Sequence, residues 1–151
     1  SEFRNLGCEL FYLKFSRKNA FNFVKGINRI VRKEKYDVIH DHEDFVAGWH
    51  WLFIIPNLPK IRIAHAHNSN IYIDNYSTGF TRKTAYRLGK FLSGILSTNI
   101  TGTSNQVLDQ LGYNSLFYKR NRIEPLYCGV NQNEFGFDNE NRIKFRNELI
   151  G

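Results

Sequence analysis

Two short β-type segments of this chain end in the same three-residue pattern: a histidine, one other residue and a second histidine. They are Tyr36–His42 and Ile61–His67, and an apolar segment, Phe45–Ile55, separates them. Side chains alternate along a strand, so the two histidines of each pair share one face. If the strands are parallel neighbours, four of the five histidines meet at the carboxyl edge of the sheet. Open parallel α/β sheets bind ligands at that edge, so we take it as the candidate site.

Strand and helix patterns alternate along the whole chain. Strands are predicted at Cys8–Phe15, Tyr36–His42, Lys60–His67, Thr98–Thr103 and Ile123–Tyr127. Helices are predicted at Asn19–Lys35, Phe45–Ile55, Thr81–Ser97, from Ser104 to near Gly112, and at Asp138–Leu149. This alternation predicts an α/β fold in which right-handed crossovers connect parallel strands. The expected architecture is Rossmann-like, with helices on both faces of the sheet.

Local signals refine these helices and the segment beside the site. Asn19, Asp44 and Ser104 stand where an N-cap is expected, because their side chains can accept a hydrogen bond from the first turn. The inward side of the helix Thr81–Ser97 is predicted from its apolar spacing to consist of Ala85, Leu88, Leu92, Ile95 and Leu96. The segment Asn68–Phe80 is polar and aperiodic, which predicts a long loop beside the site.

Composition narrows the class of protein. A chain of 151 residues suffices for one domain with its own core. Cys8 and Cys128 form no Cys-x-x-Cys pair, so a reducing compartment is expected rather than a disulfide framework. Neither a signal peptide nor an apolar run long enough to span a bilayer is present in this sequence.

The formal net charge of +7 indicates either anionic partners or simple solubility. Nucleic acid is disfavoured, because the sequence contains no known nucleic-acid motif.

Three interpretations of the histidine edge remain open from the residues alone. The histidines could bind a metal ion such as zinc together with Asp41 or Asp44. They could instead form a metal-free polar site, in which one imidazole acts as an acid, a base or a hydrogen-bond donor. They could also be structural, bonded to loop carbonyls. A zinc hydrolase needs a general base as well, and Glu43 is the only glutamate in this stretch.

The order of the segments resembles the amino-terminal domain of retaining GT-B glycosyltransferases of family 4. Within that family it is most similar to the enzymes that build capsular, exopolysaccharide and lipopolysaccharide chains. The motifs are Asp37–His42, His67-Asn68, Thr103-Ser104 and the turn Tyr127-Cys128-Gly129-Val130-Asn131, followed by Phe135. In this turn the family has Pro-Asn where the chain has Tyr127-Cys128, and Asp where it has Asn131. The resemblance runs from about Phe3 to the end of the chain.

The resemblance implies a domain organisation and an activity. Residues 1–136 would form the Rossmann-like amino-terminal domain, incomplete at its start. Residues 137–151 would lead to a carboxy-terminal nucleotide-sugar domain beyond Gly151. The reaction would transfer a sugar from a nucleotide-diphosphate sugar to a glycan or lipid-diphosphate acceptor, with retention at the anomeric carbon. The resemblance implies no metal and no cofactor bound by this part, which would be inactive alone. It also implies a cytoplasmic location, with attachment to the inner face of the cell membrane as a further expectation.

The resemblance also assigns roles to individual residues. The matching histidine of the family lies near the transferred sugar, so His67 is expected to be catalytic. His40 and His42 would line the acceptor side of the cleft, and His65 would be structural. Three further residues are expected to bind substrate: Asn68, Ser104 and Gly129.

A stripe of basic residues lies on the predicted helix Thr81–Ser97. Lys83, Arg87 and Lys90 share one side of that helix, and Arg82 lies beside them. The stripe is either a solvated helix face or a surface for anionic lipid or a lipid-diphosphate acceptor. Two alternatives to a transferase stay open as well: a metal-dependent hydrolase that uses the His-x-His pairs, and a self-contained Rossmann-like binding module.

Overall fold

The computed structural model describes residues 2–69, 79–118, 121–129 and 136–150. The strands are β1 (Val38–Asp41), β2 (Ile61–Ala66), β3 (Asn99–Gly102) and β4 (Arg122–Pro125). The α-helices are α1 (Glu2–Asn5), α2 (Ala20–Glu34), α3 (Val46–Phe53), α4 (Phe80–Leu96), α5 (Asn105–Gln110) and α6 (Asn139–Ile150). Short 3-10 turns occupy Arg17–Asn19, Ile55–Asn57 and Leu116–Tyr118.

The four strands form one parallel sheet in the order β1-β2-β3-β4. The α/β prediction is therefore confirmed at this level, and four of the five predicted strands exist, three with shorter bounds and the last beginning one residue earlier, at Arg122. The register sets His40 opposite Ile63, and His65 opposite Thr101. All four carboxyl ends consequently lie at one edge of the sheet, as the sequence indicates.

The prediction of a strand at Cys8–Phe15 is wrong. Residues 8–16 belong to no helix or strand, and most of their side chains are exposed. The segment lies instead against α2: the Leu13 side chain packs at Gly26, and the Phe15 ring meets the Phe23 ring edge-on at 5.2 Å. A run of aromatic residues suits a strand only if a neighbouring strand pairs with its backbone. In the described part of the chain, none pairs with this segment.

Helices α3 and α4 approach each other backbone to backbone at two glycines. A Cβ atom on Gly48 would meet the Gly89 carbonyl oxygen and would lie 2.5 Å from the Ser93 nitrogen. The buried positions of α4 are accordingly Tyr86, Gly89, Ser93 and Gly94. The predicted inward face of this helix is therefore partly wrong, since Ala85 and Leu88 are exposed. Close packing of backbones selects small residues rather than large apolar ones.

Both hydrophobic clusters of the core lie on the same face of the sheet. The strand residues that they contain are Ile39, Ala64, Ala66, Ile100 and Ile123, and we call their side the helix-covered face. Helices α2, α3, α4 and α5 all contribute to these clusters. Right-handed crossovers between strands in sequential order place every connecting helix on one side. Helices on both faces are thus not found among the described residues.

The opposite side of the sheet carries both polar and aliphatic residues, and we call it the histidine face. By alternation along the strands, the aliphatic residues Val38, Ile61 and Ile63 lie nearer its amino end, and His40, His65, Thr101 and Glu124 lie on the same face. Two of these residues, His65 and Thr101, are buried although they are polar. The sheet therefore separates an apolar core from a mixed face that carries the candidate site at its carboxyl edge.

Candidate functional site

Four imidazole rings form one cluster at the carboxyl ends of β1 and β2. The ring centroids of His40 and His42 are 4.1 Å apart, and those of His65 and His67 are 4.3 Å apart. Across the strands, His40 Nε2 lies 3.2 Å from His65 Nδ1, and His42 Nδ1 lies 3.0 Å from His67 Nε2. The structure thus brings together the two His-x-His pairs that the sequence placed at this edge.

The register of the two strands produces this arrangement. His40 is level with Ile63, so one repeat of the pleat further along His42 is level with His65. His40 therefore reaches diagonally to His65, and His42, just past the end of β1, reaches in the same way to His67, just past the end of β2. A ladder of alternating imidazoles follows directly from the spacing of the two motifs.

Burial keeps part of the cluster uncharged. The pKa of His65 is lowered from 6.5 to about 4, mainly because burial penalises the charged imidazolium. Repulsion of a further positive charge by the neighbouring imidazoles lowers this pKa as well; these are His67, His42 and His40. The pKa of His40 is lowered too, mainly by burial and then by His42. At neutral pH these two rings are neutral, with one donor and one acceptor nitrogen each, as an N–H···N hydrogen bond requires.

Asp44 joins the end of β1 to the end of β2. Its Oδ1 accepts hydrogen bonds from the backbone nitrogens of His67 at 2.5 Å and Asn68 at 3.1 Å. Its Oδ2 accepts from Asn68 Nδ2 at 2.6 Å. The prediction of Asp44 as a helix N-cap is wrong: α3 begins at Val46 after Phe45, without a side-chain cap. The φ angle of Asp44 is 52°, a left-handed conformation that Asp tolerates and that turns its carboxylate toward β2.

A carboxylate–imidazole pair occupies the other side of β1. Asp41 Oδ2 lies 2.6 Å from His50 Nδ1, and Asp41 Oδ1 accepts a hydrogen bond from the Glu43 nitrogen. Asp41 alternates with His40 and His42 along the strand, so its side chain points toward the helices. The sequence analysis did not find this pair, because no local pattern links a strand end to the middle of the next helix.

An apolar cavity of about 680 Å³ borders His50. Aromatic residues supply most of its lining: Phe15, Phe23, Phe45, Trp49 and Phe53. Glu43 is its acidic member. The cavity belongs to the side of β1 that carries Asp41, not to the histidine face.

The remaining predicted site residues have different surroundings. Asn68 joins the cluster through Asp44, whereas Ser104 caps α5, its Oγ accepting a hydrogen bond from the Val107 nitrogen at 3.2 Å. Gly129 is exposed, and a Cβ atom built there would meet nothing within 4 Å. Tyr127 and Cys128 of the family-like turn are exposed as well, whereas Val130, Asn131 and Phe135 lie outside the described residues, as does most of the predicted loop Asn68–Phe80.

The basic stripe lies on α4 as the sequence predicts. Arg82, Lys83 and Arg87 are exposed, whereas Lys90 is half-buried, with its Nζ 5.8 Å from the centre of the Tyr86 ring. Three of the four cations thus face solvent. No helix within the described ranges is both long and apolar enough to cross a membrane.

One ring nitrogen from each of His40, His42 and His65 lies within 4.8 Å of the other two, so these three could hold a metal ion.

Comparison with protein families, with curated proteins and with solved structures finds no match for this chain. The functional argument consequently depends on the geometry of the site and on the motifs.

Proposed function

We propose that this chain is the acceptor-side part of a retaining glycosyltransferase of the GT-B type. Its reaction transfers a sugar from a nucleotide-diphosphate sugar to a glycan or lipid-diphosphate acceptor in bacterial surface polysaccharide synthesis. The observation that carries the proposal is the position of His67 and Asn68. Both stand at the carboxyl edge of a parallel sheet, and Asp44 holds them there by three hydrogen bonds.

His67 is the catalytic residue of this proposal. Its Nε2 lies 3.0 Å from His42 Nδ1, and this contact orients the imidazole ring. The other nitrogen, Nδ1, is then directed to a hydroxyl of the transferred sugar. A hydrogen bond fixed before the reaction stabilises developing charge without the cost of reorganising solvent. His40 and His42 extend the polar surface on the acceptor side.

Asn68 supplies a second polar contact to the sugar. Its amide nitrogen donates to Asp44 Oδ2, so its side-chain oxygen is left to accept a hydrogen bond from a sugar hydroxyl. Asp44 is a positioning residue here, because it acts through the two residues that it binds. Ser104 and Gly129 follow β3 and β4 at the same edge of the sheet. They are proposed to bind the substrate as well.

Among the described residues, the glutamate that a metal-dependent hydrolase would use as its general base lies away from the histidine cluster. Glu43 lines the apolar cavity with Phe23 and Trp49, on the side of Asp41 and His50. A glutamate that activates a metal-bound water must lie within hydrogen-bond reach of that water. The position of Glu43 therefore favours the transferase.

The basic stripe on α4 fits an anionic surface. Arg82, Lys83 and Arg87 are exposed, and each basic residue near an anionic membrane contributes about 1 kcal/mol to binding. In this proposal the stripe attracts the membrane or the diphosphate of a lipid-linked acceptor. The protein would then work in the cytoplasm, at the inner face of the cell membrane.

The test is transfer of labelled sugar from a panel of nucleotide-diphosphate sugars to lipid-linked acceptors by the full gene product that contains this chain. We expect His67→Ala to lower kcat by about 100-fold or more while circular dichroism stays unchanged, since a lost transition-state hydrogen bond of this kind costs about that factor. Lys60→Ala is the matched control, because Lys60 is exposed at the opposite end of β2. Equal rates for His67→Ala and Lys60→Ala would refute the assignment.

A further inference from the structure

We propose that His40, His42 and His65 form a binding site for one divalent transition-metal ion, and that Zn²⁺ is the ion whose coordination they fit. The proposal goes beyond sugar transfer and does not depend on it. It assigns to the histidine face a ligand that the family resemblance does not imply.

The distances suit a tetrahedral ion. Zn–N bonds of roughly 2.0–2.1 Å place two nitrogens of a tetrahedral site about 3.3 Å apart. His40 Nε2 and His65 Nδ1 are already 3.2 Å apart, and all three ligand atoms lie within 4.8 Å of one another. His40 and His42 are exposed, so their rings can rotate to close the remaining difference.

The buried position of His65 carries an energetic cost, as expected of a functional residue. This side chain is 5 % exposed, and its Nε2 is buried with no hydrogen-bond partner among the described residues. A buried ring nitrogen without a partner costs free energy, and native proteins usually satisfy such atoms. The His65 nitrogen placed to bind the ion is Nδ1, which faces His40 Nε2, so the proton lies on Nε2, and the unpartnered Nε2 marks a costly position rather than a ligand atom.

The neighbouring carboxylates determine which class of ion fits. Asp41 is bound to His50, and Asp44 is bound to His67 and Asn68, so neither carboxylate is left as a ligand. Ca²⁺ and Mg²⁺ require oxygen ligands, whereas imidazole suits Zn²⁺, Cu²⁺ and Ni²⁺. Three histidines from two paired strands leave a fourth position for water.

The experiment is a titration of the chelator-treated chain with Zn²⁺ alone, followed by isothermal calorimetry, with no nucleotide, sugar or acceptor present. We expect one ion per chain. The double variant His40→Gln/His42→Gln should bind at least about 100-fold more weakly, because it removes two of three ligands. Both replaced residues are exposed, so the fold should persist, and circular dichroism checks this. Bound Co²⁺ should give the intense visible absorption of a tetrahedral site, and the double variant should lose it.

His50→Gln is the matched control, since glutamine can still donate to Asp41 and His50 is the histidine outside the cluster. Its affinity for Zn²⁺ should equal that of the parent chain. Absence of binding, an unchanged affinity in the double variant, or a loss that follows His50 would each overturn the proposal. Any of these results leaves the transferase untouched, because no step of sugar transfer is measured.

Discussion

The two faces of the sheet are built from the same strands but stabilised by different means. On the helix-covered face, Ala64 and Ile100 are almost completely buried under two apolar clusters. On the histidine face, His65 and Thr101 are buried too, yet each has a polar atom without a partner among the described residues. The first face therefore contributes stability, whereas the second gives up stability to keep polar groups near the candidate site. Such a local cost is typical of functional surfaces.

The largest effect should come from the apolar face. Ile100 has no exposed surface, so Ile100→Ala leaves a cavity and should lower the free energy of unfolding by about 3 kcal/mol. Urea denaturation followed by circular dichroism measures this change. The control is Val38→Ala, at a position that is 46 % exposed at the start of β1, which should cost less than about 1 kcal/mol. Similar losses for the two variants would mean that the two faces do not differ as described.

On the histidine face, His65 should make the free energy of unfolding depend on pH. The pKa of His65 is about 4 in the folded chain and 6.5 when unperturbed, so between these values the folded chain binds fewer protons than the unfolded one. The contribution of His65 to the free energy of unfolding is therefore complete above pH 6.5. The free energy of unfolding falls by about 1 to 3 kcal/mol as the pH drops to about 4. The charged and titratable groups that act on His65 are His67, His42, His40 and Asp44.

Unfolding in urea at several pH values, with a chelator present, measures this dependence. His65→Gln should flatten the curve in that window, with a smaller slope left from His40, whose pKa is also lowered. A variant that keeps the full slope would show that the dependence arises elsewhere in the chain.

The smallest effect should come from Thr101, next to His65 on the histidine face. Its Oγ1 is buried and has no partner in the described part of the chain, so Thr101→Val removes an unsatisfied polar atom at nearly constant shape. We expect unfolding free energies between unchanged and about 1 kcal/mol higher. Thr98→Val is the matched control: Thr98 Oγ1 accepts from the Arg62 nitrogen and donates to the Arg62 oxygen, so its loss should cost about 1–2 kcal/mol. The comparison fails if Thr101→Val is the more damaging of the two.

Much of the fold could be predicted because its signals are local. The 3.6-residue period of α2, the cap at Ser104 and the alternation of helices with strands all depend on neighbours within one turn or one pleat. The strand at Cys8–Phe15 and the inward face of α4 could not be predicted in this way. The first depends on whether a partner strand lies beside it, and the second on how closely α3 approaches at Gly48.

The candidate site, too, could be predicted only in part from the sequence. The spacing of two His-x-His pairs at the ends of parallel strands was enough to place four imidazoles at one edge. The contacts that give these residues their properties are longer in range. Asp44 reaches across to His67 and Asn68, and Asp41 pairs with His50.

The sequence by itself therefore determined the kinds of element, their order and the edge at which the histidines gather, since periodicity and spacing are properties of neighbouring residues. Tertiary packing determined which face the helices cover, which imidazole is buried and which carboxylate holds the end of β2. Burial and hydrogen bonding depend on residues that are distant in the chain and meet only once the sheet and the helices have packed together.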